Sequence, residues 1–439
     1  MPEQRSSSGA LAPFATPIYR RIWTAALASN IGTWMQTVGA SWLMASLTTS
    51  PLMIALVQTA SSLPVFLVAV PAGAVADMTD RRKLLVATQS WMLGAAALLG
   101  VLTLAGRTGP YTLLALTFAL GLGNAMNGPA WQATVPQLVP REQLPSAVAL
   151  NSVQFNIARA IGPALGGLMI SVWNTGAAFI LNALSFLGVV IVLWQWSGER
   201  KTRRVAEPVA SAVLAGWRFV RSTAAFRYVL IRSGVFVFGA SALWAMLPVV
   251  AKHELGGSSR GYGLLLGCLG AGSVAGAFIF AHLRRIIHPD AAVAAGTVLF
   301  ATSTAGLGFV PRFDVLSVAM IAGGIAWMCV MSTFNVAAQI ALPSWVRGRA
   351  LSYYMLVFQG AMASGGWAWG QTAAKAGTRQ ALFIAAGALL AGIVTALRFP
   401  MRNIDEPEFS EAMHWPEPPV TTSELDSAIR PAESRPPQA

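Results

Sequence analysis

The sequence predicts an all-α membrane protein, with twelve transmembrane helices in two pseudo-symmetric six-helix bundles, and three observations predict it. Of the 439 residues 55% are hydrophobic and only 11% are charged, far from the balance of a soluble globular chain. The charges fall in short clusters, and the apolar runs between them are about 20 residues long, enough to cross ~30 Å of hydrocarbon at ~1.5 Å per residue. Twelve such runs are centred near Met35, Val65, Ala96, Gly121, Asn156, Ser185, Phe238, Gly270, Ser303, Ile325, Phe358 and Ala388. The third observation is self-similarity at half the chain length. Ala275, Gly276 and Ala277 repeat Ala72, Gly73 and Ala74, and Arg284 and Arg285 repeat Arg81 and Arg82, about 203 positions on. Gln339, Pro343, Val346 and Leu351 repeat Gln132, Pro136, Val139 and Leu144 at about 207. Two parallel membrane repeats are the organisation of many secondary transporters, so transport is the working function.

The net charge of +13 raises nucleic acid as a partner, but the distribution of the cations excludes it. Roughly 22 of the 30 Lys and Arg residues fall on the side of both termini, the asymmetry that places that side in the cytoplasm. The expected location is a bacterial inner membrane, crossed many times, with both termini cytoplasmic. The first 20 residues lack the apolar core of a cleavable signal. Cys268 and Cys329 both fall within apolar spans and read as small fillers, neither a disulfide nor a metal site.

In chain order, residues 1–20 are a cytoplasmic tail and residues 21–197 the first bundle. Asn30, Thr33, Thr37 and Ser41 lie three and four apart on one face of span one, which should look into a wet cavity. Gln36 lies on the same span. Span two carries Gln58 and the bending prolines Pro64 and Pro71. The turn that follows, Gly73 to Lys83, sets Asp77, Asp80, Arg81 and Arg82 between two long apolar runs. Span four ends with Asn124, Asn127 and Trp131 on one face, for which helix packing through small residues and a cavity role both stand. Span five holds Ser152, Asn156, Arg159 and Pro163 on one face, with Gln154 beside them. Residues 198–225 are a basic cytoplasmic linker, in which Leu214, Trp217 and Val220 suit a short helix lying on the membrane surface. Residues 226–400 form the second bundle, and residues 401–439, rich in Pro, Glu and Ser, a disordered cytoplasmic tail.

The Gly73, Asp77, Arg81, Arg82 pattern with twelve spans in two repeats resembles the major facilitator superfamily. The run from Leu63 into Asp80-Arg81-Arg82, the block Asn127 to Ser152 and the block Ala158 to Gly167 are similar to the branch that contains the enterobactin exporter and the transmembrane secretion effectors. The resemblance covers about residues 18–400 and implies the major facilitator fold. It further implies a cytoplasmic gate, in which Asp77 caps the facing helix of the second bundle near Arg349, with Gly73, Asp80, Arg81 and Arg82 in the same turn. The pattern departs from the superfamily at Met78, where arginine is usual, and at Asp80, where glycine is usual; Asp80 also reads as a solvated turn residue. In the second copy Phe280 and Leu283 replace the two acids, so the lock should be one-sided. Gly162, Pro163, Gly166 and Gly167 resemble the fifth-helix motif of exporters; the physics behind it is close helix approach plus a proline bend.

Arg159 is the one cation deep in a span, where burial costs at least ~2.5 kcal/mol, so it marks either a functional site that draws an anionic or catecholate-like cargo or a tie between helix carbonyls. With Trp244, Trp327, Asn335 and Gln359 and the polar residues of spans one, two, four and five, it describes an amphipathic substrate cavity suited to a large, partly aromatic molecule. No Asp or Glu lies deep in any span. A proton gradient as energy source is thus implied by the resemblance and unsupported by the residues; no cofactor and no metal are expected. The sequence therefore points to a secondary active transporter, not an enzyme, exporting a small organic molecule of siderophore or drug-like class by alternating access. Membrane lipids and the small-molecule substrate are the partners expected, with no nucleic acid, and the protein is expected to be a monomer. A lipid or lysophospholipid transporter and a non-transporting membrane sensor are the alternatives.

Overall fold

The computed structural model describes residues 9–196, 217–218, 220–253, 256–309, 312–342 and 347–401, and within its helices the side chains of 69–70, 74, 76–78, 253 and 347–349 also lie outside the description. Among the described residues there are no strands and twelve long helices. In the first half these are α1 (Pro17–Leu47), α2 (Pro51–Met78), α3 (Arg81–Leu104), α4 (Pro110–Leu138), α5 (Leu144–Val172) and α6 (Thr175–Gln195). In the second they are α7 (Ala224–His253), α8 (Ser259–Leu283), α9 (Pro289–Phe309), α10 (Phe313–Ile340), α11 (Arg347–Ala376) and α12 (Thr378–Gly392), the last continued by a short turn to Arg398. Most of the linker, the tail beyond Met401 and Leu214 lie outside the described residues.

The helix starts follow from local chemistry. Proline stands in the first turn of α1, α2, α4 and α5, where its missing N–H costs nothing. Ser50, Asp80, Asn174 and Ser258 are N-caps whose side chains accept from Met53, Lys83, Ala177 and Gly261. Nine of the described helices are long and apolar enough to cross a membrane by composition. The other three, α1, α4 and α11, span 31, 29 and 30 residues and are diluted by Ser, Thr, Asn, Gln and Gly, as befits helices with less contact to lipid.

The packing repeats itself. In the first half α1 packs on α5 and α6, α2 on α4, and α3 on α4 and α6. In the second, α7 packs on α11 and α12, α8 on α10, and α9 on α10 and α12. Each pairing maps onto the other by adding six to both helix numbers. The two bundles then meet along α2 with α11 and α5 with α8, which are again one pairing and its symmetry mate.

Candidate functional site

The face of the bundle that carries the α2–α3 and α4–α5 connections is called the termini face below, and the opposite one the far face. Among the described residues, the contacts between the bundles named below run from the far face to mid-depth. Near the far ends, Trp42 of α1 stacks on Tyr262 of α8 at 6.2 Å, Lys252 Nζ of α7 sits 4.6 Å from the Trp42 ring, and Arg260 Nε donates to Ser171 Oγ at 2.6 Å. Deeper, Thr59 Oγ1 donates to the Ala363 carbonyl at 2.9 Å, and the Phe66 ring covers Gly360.

Glycine makes this approach close. A Cβ on Gly263 would lie 2.7 Å from the Pro163 carbonyl oxygen and 2.8 Å from Gly167 Cα, and one on Gly270 would lie 2.7 Å from the Arg159 carbonyl oxygen. The predicted packing motif on α5 therefore serves two surfaces. Gly162 and Gly166 lie against Trp34 and Met35 of α1 inside the first bundle, while Pro163 and Gly167 lie against α8 of the second. Small residues on both helices let backbones touch where no larger side chain would fit.

At the inner end of this seam Arg159 reaches across the interface. Its position, 15 residues into α5, is about 22 Å along the helix. The guanidinium carbon lies 5.9 Å from the ring of Trp244 on α7 and 5.9 Å from that of Trp327 on α10, within the range of a cation–π contact. Trp327 is the hub of an aromatic group. Trp244, Phe236, Phe300 and Phe358 surround it at centroid distances of 5.9, 6.0, 6.0 and 6.1 Å. Arg159 Nε and Trp244 Nε1 are both buried with no hydrogen-bond partner, as is the Tyr354 hydroxyl, one turn before Phe358 on α11. Among the described residues no carboxylate forms an ion pair with Arg159.

Of the other residues read as cavity-lining, several turn inward to their own bundle. Gln36 is buried and accepts from Asn182 of α6 at 2.7 Å, and Gln154 is buried and donates to the Trp23 carbonyl at 2.9 Å. Asn127 accepts from Thr88 and Gln89 of α3, and Trp131 packs in the apolar cluster of the first bundle near the termini face. These four tie neighbouring helices together: a polar side chain at membrane depth is equally satisfied by a neighbouring helix and by a wet cavity. Gln58, Asn156 and Asn335 bond Ser62, the Ser152 carbonyl and Gln339 on their own helices. Thr33 and Thr37 likewise donate to carbonyls of α1. Asn124 is exposed, and Asn30 and Gln359 are half-buried.

At the termini face Gly73 has no atom within 4 Å of where a Cβ would stand. Asp80 is exposed and caps α3 through Lys83 N, which is the turn role read for it beside the gating one. Arg81 Nη1 donates to the Ala133 carbonyl of α4 at 3.0 Å; Arg82 donates from Nε to Leu193 and from Nη2 to Trp194, at 2.9 and 2.6 Å. Both arginines thus bind carbonyls of their own bundle. The side chains of Asp77 and of residues 347–349 at the head of α11 lie outside the description.

The second bundle carries a buried ion pair that the sequence did not disclose. Arg232, eight residues into α7 and with its side chain only 3% exposed, pairs with Asp290 in the first turn of α9. Asp290 also accepts from Met401 N at 3.2 Å, and Arg232 Nη1 reaches the Phe399 carbonyl at 3.4 Å. Asp290 reads as a loop acid, but a lone Arg232 in a span demands a partner at its own depth, and that demand was the available signal. The arrangement parallels that of Arg82 in one respect: each ties the head of the third helix of a bundle to the end of its sixth, Arg82 directly and Arg232, from the first helix, through Asp290.

On the outside of the first bundle, α1, α5 and α6 enclose an apolar groove of about 670 Å³, lined by Ile31, Met35, Leu165, Leu168, Leu181 and Leu184 among others.

A family profile described as transmembrane secretion effector matches residues 8–428. The staphyloferrin A transporter of Staphylococcus aureus (strain NCTC 8325 / PS 47) is 23% identical over 331 residues, 74% of this chain and 82% of that protein. The multidrug efflux pump Tap of Mycolicibacterium fortuitum is 24% identical over 344 residues, with the same shares. Among solved structures, the nucleoside transporter NupG superposes with a TM-score of 0.71 at 11% identity, over 87% of this chain and 99% of that one. That likeness concerns the fold alone.

Proposed function

Because the chain belongs to the transmembrane secretion effector family of the MFS transporters, we propose that it exports a small organic molecule by alternating access, as a secondary active transporter of a bacterial inner membrane with both termini in the cytoplasm. The observation that carries this reading is the seam itself. Two symmetry-related bundles touch through glycines, and at mid-depth a cation from one meets indoles from the other. Rocking about such a seam exposes the mid-depth group to one side at a time. Relatives named as a staphyloferrin A transporter and a multidrug efflux pump support testing first the siderophore and drug-like classes that the sequence suggests. The protein acts as a monomer in contact with membrane lipid, and an ion gradient supplies the energy. The test compares strains with and without the gene in iron-rich and iron-poor medium by untargeted mass spectrometry. A compound that accumulates in deleted cells and disappears from their medium supports export. Identical profiles in both media, together with unchanged sensitivity to a panel of toxic compounds, refute it.

A second reading, transport of a lipid or lysophospholipid, rests on the apolar groove between α5 and α6, which has the volume of a substantial stretch of acyl chain. It requires a change in the lipid content of the outer leaflet on deletion.

A further inference from the structure

We propose that the group seated against Arg159 is a carboxylate-bearing anion with an aromatic or otherwise flat body, and that cationic and neutral analogues are rejected there. The proposal rests on the export reading in taking the Arg159 cluster as the cargo site, and it adds the chemical class. Its basis is a count of donors against acceptors. Arg159 Nε and Trp244 Nε1 are buried N–H groups without a partner, and neither can accept a hydrogen bond. The Tyr354 hydroxyl, which can donate as well, is a third unpaired group close along α11. The surroundings of Arg159 offer two indole faces and no carboxylate among the described residues. The Arg159–Trp244 pair, which brings donors and a full positive charge and no acceptor of its own, is complete only when an acceptor arrives. Buried polar groups in folded proteins are paired in the great majority of cases, so the mismatch specifies its ligand.

The charge and the shape of the ligand follow separately. A guanidinium binds a carboxylate through two parallel N–H bonds in one plane, a geometry that a neutral amide matches with half the acceptors and an ammonium cannot match at all. Trp244 and Trp327 meet edge to face at 73°, and Phe358 closes on Trp327 at 67°, so the walls offer ring faces and edges to a flat body. A cationic molecule could use the indoles but would stand beside Arg159 with no intervening acid, and like charges that close exclude one another.

The assignment is tested on the purified full chain in a neutral maltoside detergent, by equilibrium dialysis of three probes that share one ring system: 1-naphthoate, 1-naphthamide and 1-naphthylmethylammonium. Naphthoate is expected to bind at least tenfold more tightly than naphthamide and the ammonium to bind more weakly still. Arg159→Gln should bring naphthoate down to the level of naphthamide, and Arg159→Lys should restore part of the preference. Trp244→Phe keeps the ring, loses the N–H and should weaken naphthoate severalfold with naphthamide unchanged, which keeps the test available where Arg159→Gln does not fold. A naphthoate preference below threefold, a preference that survives Arg159→Gln, or no binding of naphthoate to monodisperse wild type overturns the proposal. Displacement of naphthoate by phosphatidylglycerol added to the micelles also overturns it, since the anion would then be a lipid headgroup. Efflux from everted vesicles is read independently. Selective binding without efflux refutes export and leaves the anion site standing, whereas efflux confined to cationic dyes and indifferent to Arg159→Gln refutes the anion site and leaves export.

Discussion

Replacing Gly263 with alanine places one methyl group in the α5–α8 seam and nowhere else. The new carbon would stand 2.7 Å from the Pro163 carbonyl oxygen, 2.8 Å from Gly167 Cα and 3.0 Å from Gly167 N. All three are backbone atoms, so no side chain can swing aside. Restoring an ordinary contact near 3.4 Å from the tightest of these, at 2.7 Å, requires the helices to part by about 0.7 Å. Overpacking of this kind costs ~1–3 kcal/mol. On the proposed alternating-access reading the cost falls on the far-face-closed state, in which the two backbones touch. The equilibrium between far-face-closed and far-face-open states should therefore shift by roughly 5- to 150-fold. Spin labels at Val172 at the end of α5 and Phe313 at the head of α10, both exposed, in a chain carrying Cys268→Ala and Cys329→Ala, report the opening through their distance distribution. Gly263→Ala should enrich the longer distance and slow export. The control is Gly188→Ala, where nothing lies within 4 Å of the added carbon and neither quantity should move. A distance distribution identical to that of the parent, in protein that remains folded, refutes the reasoning that the glycine seam sets the conformational balance.

Asp290→Asn should destabilise the second bundle, because it leaves the guanidinium of Arg232 buried beside a neutral amide; removing one partner of a buried pair costs roughly 3–5 kcal/mol, while the double variant Arg232→Met with Asp290→Leu should recover most of it. Thermal unfolding in detergent measures both, and equal losses in the single and double variants would remove the ion pair as the cause. Arg82→Gln should lower stability by about 1 kcal/mol, since its two charge-assisted bonds to the end of α6 are half exposed to water and worth correspondingly less; an unchanged midpoint of thermal unfolding counts against that fastening role. Asp77→Asn, at the proposed cytoplasmic gate, should abolish export while insertion into the membrane stays normal, and full export from that variant removes the gating role.

The architecture was legible in the sequence because the length of an apolar run and the spacing of charges are local properties. Twelve runs became twelve helices, and the echo between Ala72 and Ala275 became a one-to-one match of helix pairings. The site was legible only in part. Arg159 stood out because an isolated cation in hydrocarbon is costly wherever it points. Phe236 and Phe300, which complete the group around Trp327, carry no such signal, since a phenylalanine in a span reads the same in lipid, in a core or beside a guanidinium. Gln36 and Gln154 were misplaced for the complementary reason. Each belongs at membrane depth only with a partner, and nothing in the sequence distinguishes Asn182 or the Trp23 carbonyl from water in a cavity. Asp290 was hidden by its position at a helix head, where acids are ordinarily solvated.

What separates the halves is as informative as what relates them. The backbone pairings of the two bundles repeat, but the chemistry at mid-depth does not. Arg159 of α5 has no cationic counterpart in α11, where the repeat offsets of 203 and 207 fall on Met362 and Gly366. Trp327 of α10 has no aromatic counterpart in α4, where the same offsets fall on Asn124 and Leu120. One bundle supplies the charge and the other the rings. A ligand that needs both can be held fully only while the bundles stand at the separation that brings Arg159 within 5.9 Å of Trp244 and Trp327. Any rocking motion that opens the seam by a few ångströms weakens that hold, because a cation–π contact is lost beyond ~6 Å. On the proposed export reading, release is coupled to motion through the geometry of the two bundles, and a ligand has to bind the two arrangements differently if it is to shift the balance between them.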